Sequence, residues 1–77
     1  MPMSALSKRL VALRKARGLS QTAVANEIGI ALRTYQYYER GEREPQLSIL
    51  IRLADFYQVS LDTLVGHSSP PLKQSDD

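Results

Sequence analysis

Five side chains near the middle of the chain recur at helical spacing: Leu32, Arg33, Gln36, Tyr37 and Arg40. On one helix they form a single stripe. Arg33 carries a planar donor fork, and Gln36 holds a donor beside an acceptor, so both can make paired hydrogen bonds to base edges. Each also has a plainer reading: a phosphate contact or a solvated arginine for Arg33, a solvent-facing amide for Gln36. Glu39, Glu42 and Glu44 are the other cluster with chemistry in it. Paired carboxylates serve acid–base or metal chemistry, but nothing nearby in the chain completes such a site. There is no cysteine, and the single histidine, His67, stands in a polar stretch. A thiolate or histidine zinc site and a Ser–His triad are therefore unexpected. The expectation is a protein that is not an enzyme and needs no cofactor.

The chain has 77 residues and a formal net charge of +2, a length that suits one small domain. The charge is uneven. Lys8, Arg9, Arg14, Lys15, Arg17 and Arg33 face only Glu27 within residues 1–33, whereas acids outnumber bases from residue 34 onward. A basic half suits a polyanionic partner and equally suits a solvated helix face. No apolar run approaches the roughly 18 residues of a membrane span, and the first residues lack an apolar stretch after a basic start. A cytoplasmic protein is expected, with no membrane partner.

The elements that must position these residues are short helices. Leu6, Leu10 and Leu13 mark one inner stripe over Ser4–Arg17, with Gly18 after its last turn and Lys15 and Arg17 near its negative end. Ser20 is placed to cap a second helix from Gln21 to about Ile28, with Ala23, Val24 and Ile28 inward and Gly29 ending it. A third runs from Leu32 to about Arg40, with Tyr35 and Tyr38 inward and Gly41 beyond. Pro45 is read as opening a fourth helix to about Tyr57, with Leu47, Leu50, Ile51 and Ala54 as its stripe. Ser60 caps a short fifth over Leu61–Val65, stopped by Gly66. The fold class is all-α, five helices over residues 4–66, followed by a polar tail over 67–77 read as disordered.

The joint between the second and third helices is the informative feature. Two helices meeting steeply across about three residues need small side chains where their backbones approach. Ala25 and Gly29 stand where that closeness is expected, above Val24, Ile28, Ile30, Tyr35 and Tyr38. This pattern reads as a helix-turn-helix, or else as an ordinary helical hairpin.

The chain resembles the lambda-repressor-like, Cro/C1-type (XRE) helix-turn-helix family over about Leu6–Gly66. Four blocks carry the resemblance: Leu10 through Arg14; Gly18-Leu19-Ser20-Gln21 with Ala25 and Gly29; Tyr38-Glu39-Arg40-Gly41; and Pro45 through Leu61-Asp62-Thr63-Leu64. The resemblance implies that Gln21 and Thr22 start a helix at the DNA backbone and that Gln21 braces the recognition helix. It implies that Leu32, Arg33, Gln36 and Tyr37 face the major groove, that Arg40 and Arg43 meet phosphates, and that Arg14 ties to Glu39. Glu42 and Glu44 flank Arg43 and weaken its claim on phosphate. Ala31 departs from the family's Ser or Thr at the cap of the third helix, and Leu32 and Tyr37 are less polar than is common there.

The function so implied is a sequence-specific transcriptional regulator, of repressor type, binding a pseudo-palindromic operator in double-stranded DNA as a homodimer. Val59, Leu61 and Leu64 are candidate dimer contacts, or else close the monomer core. The main rival is an antitoxin or other protein-interaction module on the same fold, with an unknown protein partner. A membrane-surface role for the basic first helix is the weakest reading.

Overall fold

The computed structural model describes residues 5–66, which form five helices and no strand. They are α1 (Ala5–Ala16), α2 (Gln21–Ile28), α3 (Leu32–Arg40), α4 (Leu47–Tyr57) and α5 (Leu61–Val65). The expected polar tail over 67–77 and the residues before Ala5 lie outside the described residues. α1 packs against α3 and α5, α2 against α3 and α4, and α4 against α5.

Local chemistry sets most of the helix ends. The Ser20 hydroxyl accepts from the Ala23 N–H at 3.0 Å, and the Ser60 hydroxyl accepts from the Thr63 N–H at 3.0 Å. Each satisfies one of the donors a helix start leaves bare. Gly29 closes α2 at φ 84°, and its N–H and that of Ile30 both return to the Ala25 carbonyl, at 2.9 and 3.0 Å. The expectation that Gly29 serves close helix packing is corrected here. A Cβ on Gly29 would meet only the Arg52 guanidinium, at 3.8 Å, so the left-handed backbone, not crowding, demands glycine.

Every helix contributes to one core. Leu10 comes from α1, Val24, Ala25 and Ile28 from α2, Tyr35 and Tyr38 from α3, Leu53, Ala54 and Tyr57 from α4, and Leu64 from α5. Burying a large apolar side chain stabilises by about 1.5–3 kcal/mol, and eight of these ten are larger than alanine. Leu64 is fully buried and Val59 packs against the core. Those two candidate dimer contacts therefore close the monomer, while Leu61 stays partly exposed.

Two readings of α4 are corrected. Pro45 is buried but precedes the helix, whose cap position is Gln46, without a side-chain cap bond. The inward stripe is Leu50, Leu53, Ala54 and Tyr57, whereas Leu47 and Ile51 are 64% and 43% exposed. Leu47 through Ile51 is apolar nearly all round its turn, so the phase of the helix is ambiguous there. Packing against α2 and α5 chooses it.

Candidate nucleic-acid interface

α3 is anchored from beneath by two tyrosines and a carboxylate. Tyr35 is fully buried, and its hydroxyl meets that of Tyr57 at 3.2 Å. Burial comes first in pushing both phenols above their usual range. Glu39 is 3% exposed, a position a charge occupies only when paired. Arg14 supplies the pair, with Nε donating to Oε2 at 2.7 Å and Nη2 to Oε1 at 3.1 Å. Arg14 also donates to the Leu19 carbonyl at 3.0 Å. Burial alone would push the Glu39 carboxyl up, but hydrogen bonds from Arg14, Tyr35 and Gln21 and the Arg14 charge outweigh it and hold the group below its ordinary value. The hydrogen bond to Glu39 raises Arg14 in turn.

This pair continues outward through two amides. Gln21, the first residue of α2, donates Nε2–H to Glu39 Oε1 at 2.9 Å. Gln36 of α3 donates Nε2–H to Gln21 Oε1 at 3.1 Å. The expected Arg14–Glu39 tie and the expected bracing by Gln21 are thus one continuous network running from α1 to the open side of α3.

The open side carries the predicted stripe. Arg33 and Arg40 are exposed, Leu32 is 38% exposed, and Gln36 and Tyr37 are half-buried. Arg33 has no hydrogen bond or ion pair among the described residues. The guanidinium carbons of Arg43 and Arg40 lie over the Tyr37 ring, 4.7 and 5.6 Å from its centroid. Tyr37 therefore gathers two cations at the C-terminal end of α3. Glu42, adjacent to Arg43 in the chain, turns instead to Arg40, with Oε2 3.4 Å from Nε. Thr22 is exposed beside Gln21. Ala31 occupies the cap position of α3 and makes no side-chain cap bond, so first-turn N–H groups of α3 lack that partner.

Three contacts escaped sequence reasoning. Arg17 does not serve the end of its own helix. Its guanidinium donates to the Phe56 and Tyr57 carbonyls at 3.2 and 2.6 Å and lies 5.6 Å from the Tyr57 ring centroid, which closes the C-terminal end of α4. Arg52 donates to the Ile28 carbonyl at 3.1 Å and does the same for α2. The Gln21–Gln36 bond is the third. Its only sequence signal is two amides facing the joint from its two helices. Arg14 and Arg17 are committed to internal partners, although Arg17 stays exposed; Lys8, Arg9, Lys15, Arg33, Arg40 and Arg43 are the other exposed cations of the N-terminal helices and α3 with its following turn.

Among the described residues no three His, Cys, Asp or Glu side chains gather as a metal site. No described helix is long and apolar enough to cross a membrane.

Comparison with known proteins gives consistent neighbours. A helix-turn-helix family model matches residues 10–64. The chain is 41% identical over 61 residues to the cryptic phage CTXphi transcriptional repressor RstR of Vibrio cholerae, covering 79% of this chain and 54% of that protein. It is 43% identical over 58 residues to the transcriptional regulator AnsR of Bacillus subtilis, covering 75% of this chain and 50% of that one. The chain spans about half the length of these curated relatives. Its fold matches a transcriptional regulator from Listeria innocua with a TM-score of 0.82 at 32% identity, over 95% of this chain and 68% of that one. It also matches the restriction-modification controller protein C.AhdI of Aeromonas hydrophila with a TM-score of 0.72 at 32% identity, over 78% of this chain and 91% of that one.

Proposed function

The chain belongs to the Cro/C1-type helix-turn-helix family, and on that premise we propose that it is a sequence-specific DNA-binding transcriptional regulator of repressor type. The observation that carries this reading is the outward face of α3. Arg33, Gln36, Tyr37 and Arg40 stand on a helix whose inner side is locked by Tyr35, Tyr38 and Glu39. A rigid helix with polar side chains on its outward face is what groove reading needs.

The roles divide by chemistry. Arg33 is unpaired among the described residues and reaches a base edge, with guanine O6 and N7 as its matched acceptors. Leu32 contacts apolar groove surface such as a thymine methyl. Arg40 and Arg43, gathered on Tyr37, meet phosphates. So do Gln21 and Thr22 at the N-terminus of α2, where backbone N–H groups favour an anion. The domain spans residues 4–66.

α3 has nine residues, or about 13 Å of helix, which matches roughly four base pairs at about 3.4 Å each. That is too little to specify one place in a genome. The chain therefore acts as a homodimer on a pseudo-palindromic operator with half-sites about 34–36 Å apart. Exposed Leu61, Leu47 and Ile51 supply apolar surface for the pairing. The setting is the cytoplasm of a bacterium, from a chromosomal or phage gene, with no cofactor and no enzymatic activity.

Selection of bound duplexes from a randomised pool tests the proposal directly. A two-fold consensus should emerge, and fluorescence anisotropy on it should show log K falling with log salt by about 0.9 per neutralised phosphate. A flat salt response, or equal binding to consensus and random duplex, would remove the proposal.

A further inference from the structure

The N-terminal end of α3 is apolar, whereas the rest of its outward stripe is mostly polar. Among the described residues four large apolar side chains are exposed. Leu47, Ile51 and Leu61 belong to α4 and α5, and Leu32, at 38% exposure, is the one on α3. Leu32 is the first residue of that helix, and Ala31 before it is also exposed and makes no side-chain cap bond. Gln36, one turn further along the stripe, has already given an amide N–H to Gln21 Oε1 at 3.1 Å. The N-terminal residues of a helix laid in the major groove are those that meet base edges. Here the first two bring carbon and no hydrogen-bonding side chain.

We propose that Leu32, backed by Ala31, recognises the C5-methyl group of a pyrimidine, which makes operator affinity respond to cytosine methylation. In unmodified DNA the one apolar group on the major-groove edge is the thymine methyl. Thymine otherwise shows an acceptor, O4, where cytosine shows a donor, N4–H. A leucine pairs with neither, so the two bases differ for it by the methyl group alone. 5-Methylcytosine carries that group on the same ring carbon. Leu32 therefore accepts 5-methylcytosine as it accepts thymine, while unmodified cytosine leaves the side chain against water. A polar residue at this position would bond O4 or N4–H and would separate thymine from cytosine whatever stood on C5. Arg33, on the same turn, is the contrast. Its fork matches guanine O6 and N7, and neither atom changes when a cytosine is methylated.

This inference rests on the DNA-binding reading and adds to it a covalent mark on the DNA as the regulatory input. The test uses the full chain as wild type, Leu32→Ala, Leu32→Met and Arg33→Ala, on the duplex that the wild type selects from a randomised pool. The position sought is a thymine whose preference is lost in Leu32→Ala. Four duplexes then carry thymine, deoxyuridine, cytosine or 5-methylcytosine there, each with its Watson–Crick partner. Burial of one methyl group is worth about fourfold in affinity. In each half-site thymine should bind about fourfold tighter than deoxyuridine, and 5-methylcytosine about fourfold tighter than cytosine. Leu32→Met, apolar and of similar size, should keep both ratios, and Leu32→Ala should bring both toward one. Arg33→Ala should weaken binding to all four duplexes and leave the ratios in place. The inference is overturned if cytosine and 5-methylcytosine bind the wild type alike, if the ratios survive in Leu32→Ala, or if no thymine preference depends on Leu32. Failure of the wild type to select any consensus removes the underlying DNA-binding reading instead, so the two failures are distinct.

Discussion

Arg14 and Glu39 lie 25 residues apart in the chain and meet through two parallel bonds of 2.7 and 3.1 Å. They join the first helix to the last turn of α3. An ion pair this buried is costly to desolvate and is weak support for net stability against an apolar pair. Losing one partner is another matter, because it strands a buried charge.

That asymmetry predicts a pH response. The Glu39 carboxyl is held below its ordinary value of 4.5 in the folded protein. The unfolded chain therefore takes up a proton first as pH falls, and stability declines from about pH 4.5 downward. The contribution is fully present above that pH. Urea denaturation followed between pH 6 and 3 should show the loss, and Glu39→Gln should flatten this part of the curve while lowering stability near neutrality. An unchanged slope in Glu39→Gln would mean that other carboxylates cause the acid response.

The missing cap at α3 predicts a gain. Ala31 has extended backbone, φ −68° and ψ 146°, and no side-chain bond to the helix start. The same position in α2 is filled by Ser20, which makes one. Ala31→Ser should stabilise the fold by about 1 kcal/mol, and Ser20→Ala should destabilise it by a similar amount. Equilibrium urea denaturation of both variants checks the pair.

Arg33 and Arg40 should separate by role. Arg33→Ala should relax preference at one base position, at about 1–3 kcal/mol of discrimination. Arg40→Ala should weaken all duplexes alike and reduce the salt slope by about one. Competition binding on consensus and single-mismatch duplexes distinguishes them, and identical behaviour would refute the division.

Tyr37 should act through the arginines it gathers. A cation over an aromatic ring is worth about 0.5–1 kcal/mol at an exposed site. Tyr37→Leu should therefore lower affinity for every duplex severalfold by loosening Arg40 and Arg43, whereas Tyr37→Phe keeps the ring and should bind nearly as the wild type. Isothermal titration with one consensus and one random duplex reads both effects. A base-specific loss in Tyr37→Leu would instead place the ring against a base.

The helices were legible because their signals are local. Ser20 three residues before the N–H it accepts, Gly29 and Gly41 at left-handed turns, and Tyr35 with Tyr38 on one side of a short helix all act within a turn of the backbone. Composition and spacing were sufficient for α2, α3 and α5 at their observed bounds. The stripe Leu32, Arg33, Gln36, Tyr37 and Arg40 was likewise legible, since helical periodicity alone sets which residues share a side.

What only the tertiary structure decided is where long, flexible polar side chains end. Arg17 crosses to carbonyls 39 and 40 residues away, Gln36 reaches Gln21 across 15, and Glu42 turns from Arg43 to Arg40. Leu47 and Ile51 face outward although their types suited the core. Backbone preference and periodicity act over a few residues and can be read in order along a chain. The partner of a charge or an amide depends on which distant helices the apolar core has already brought together.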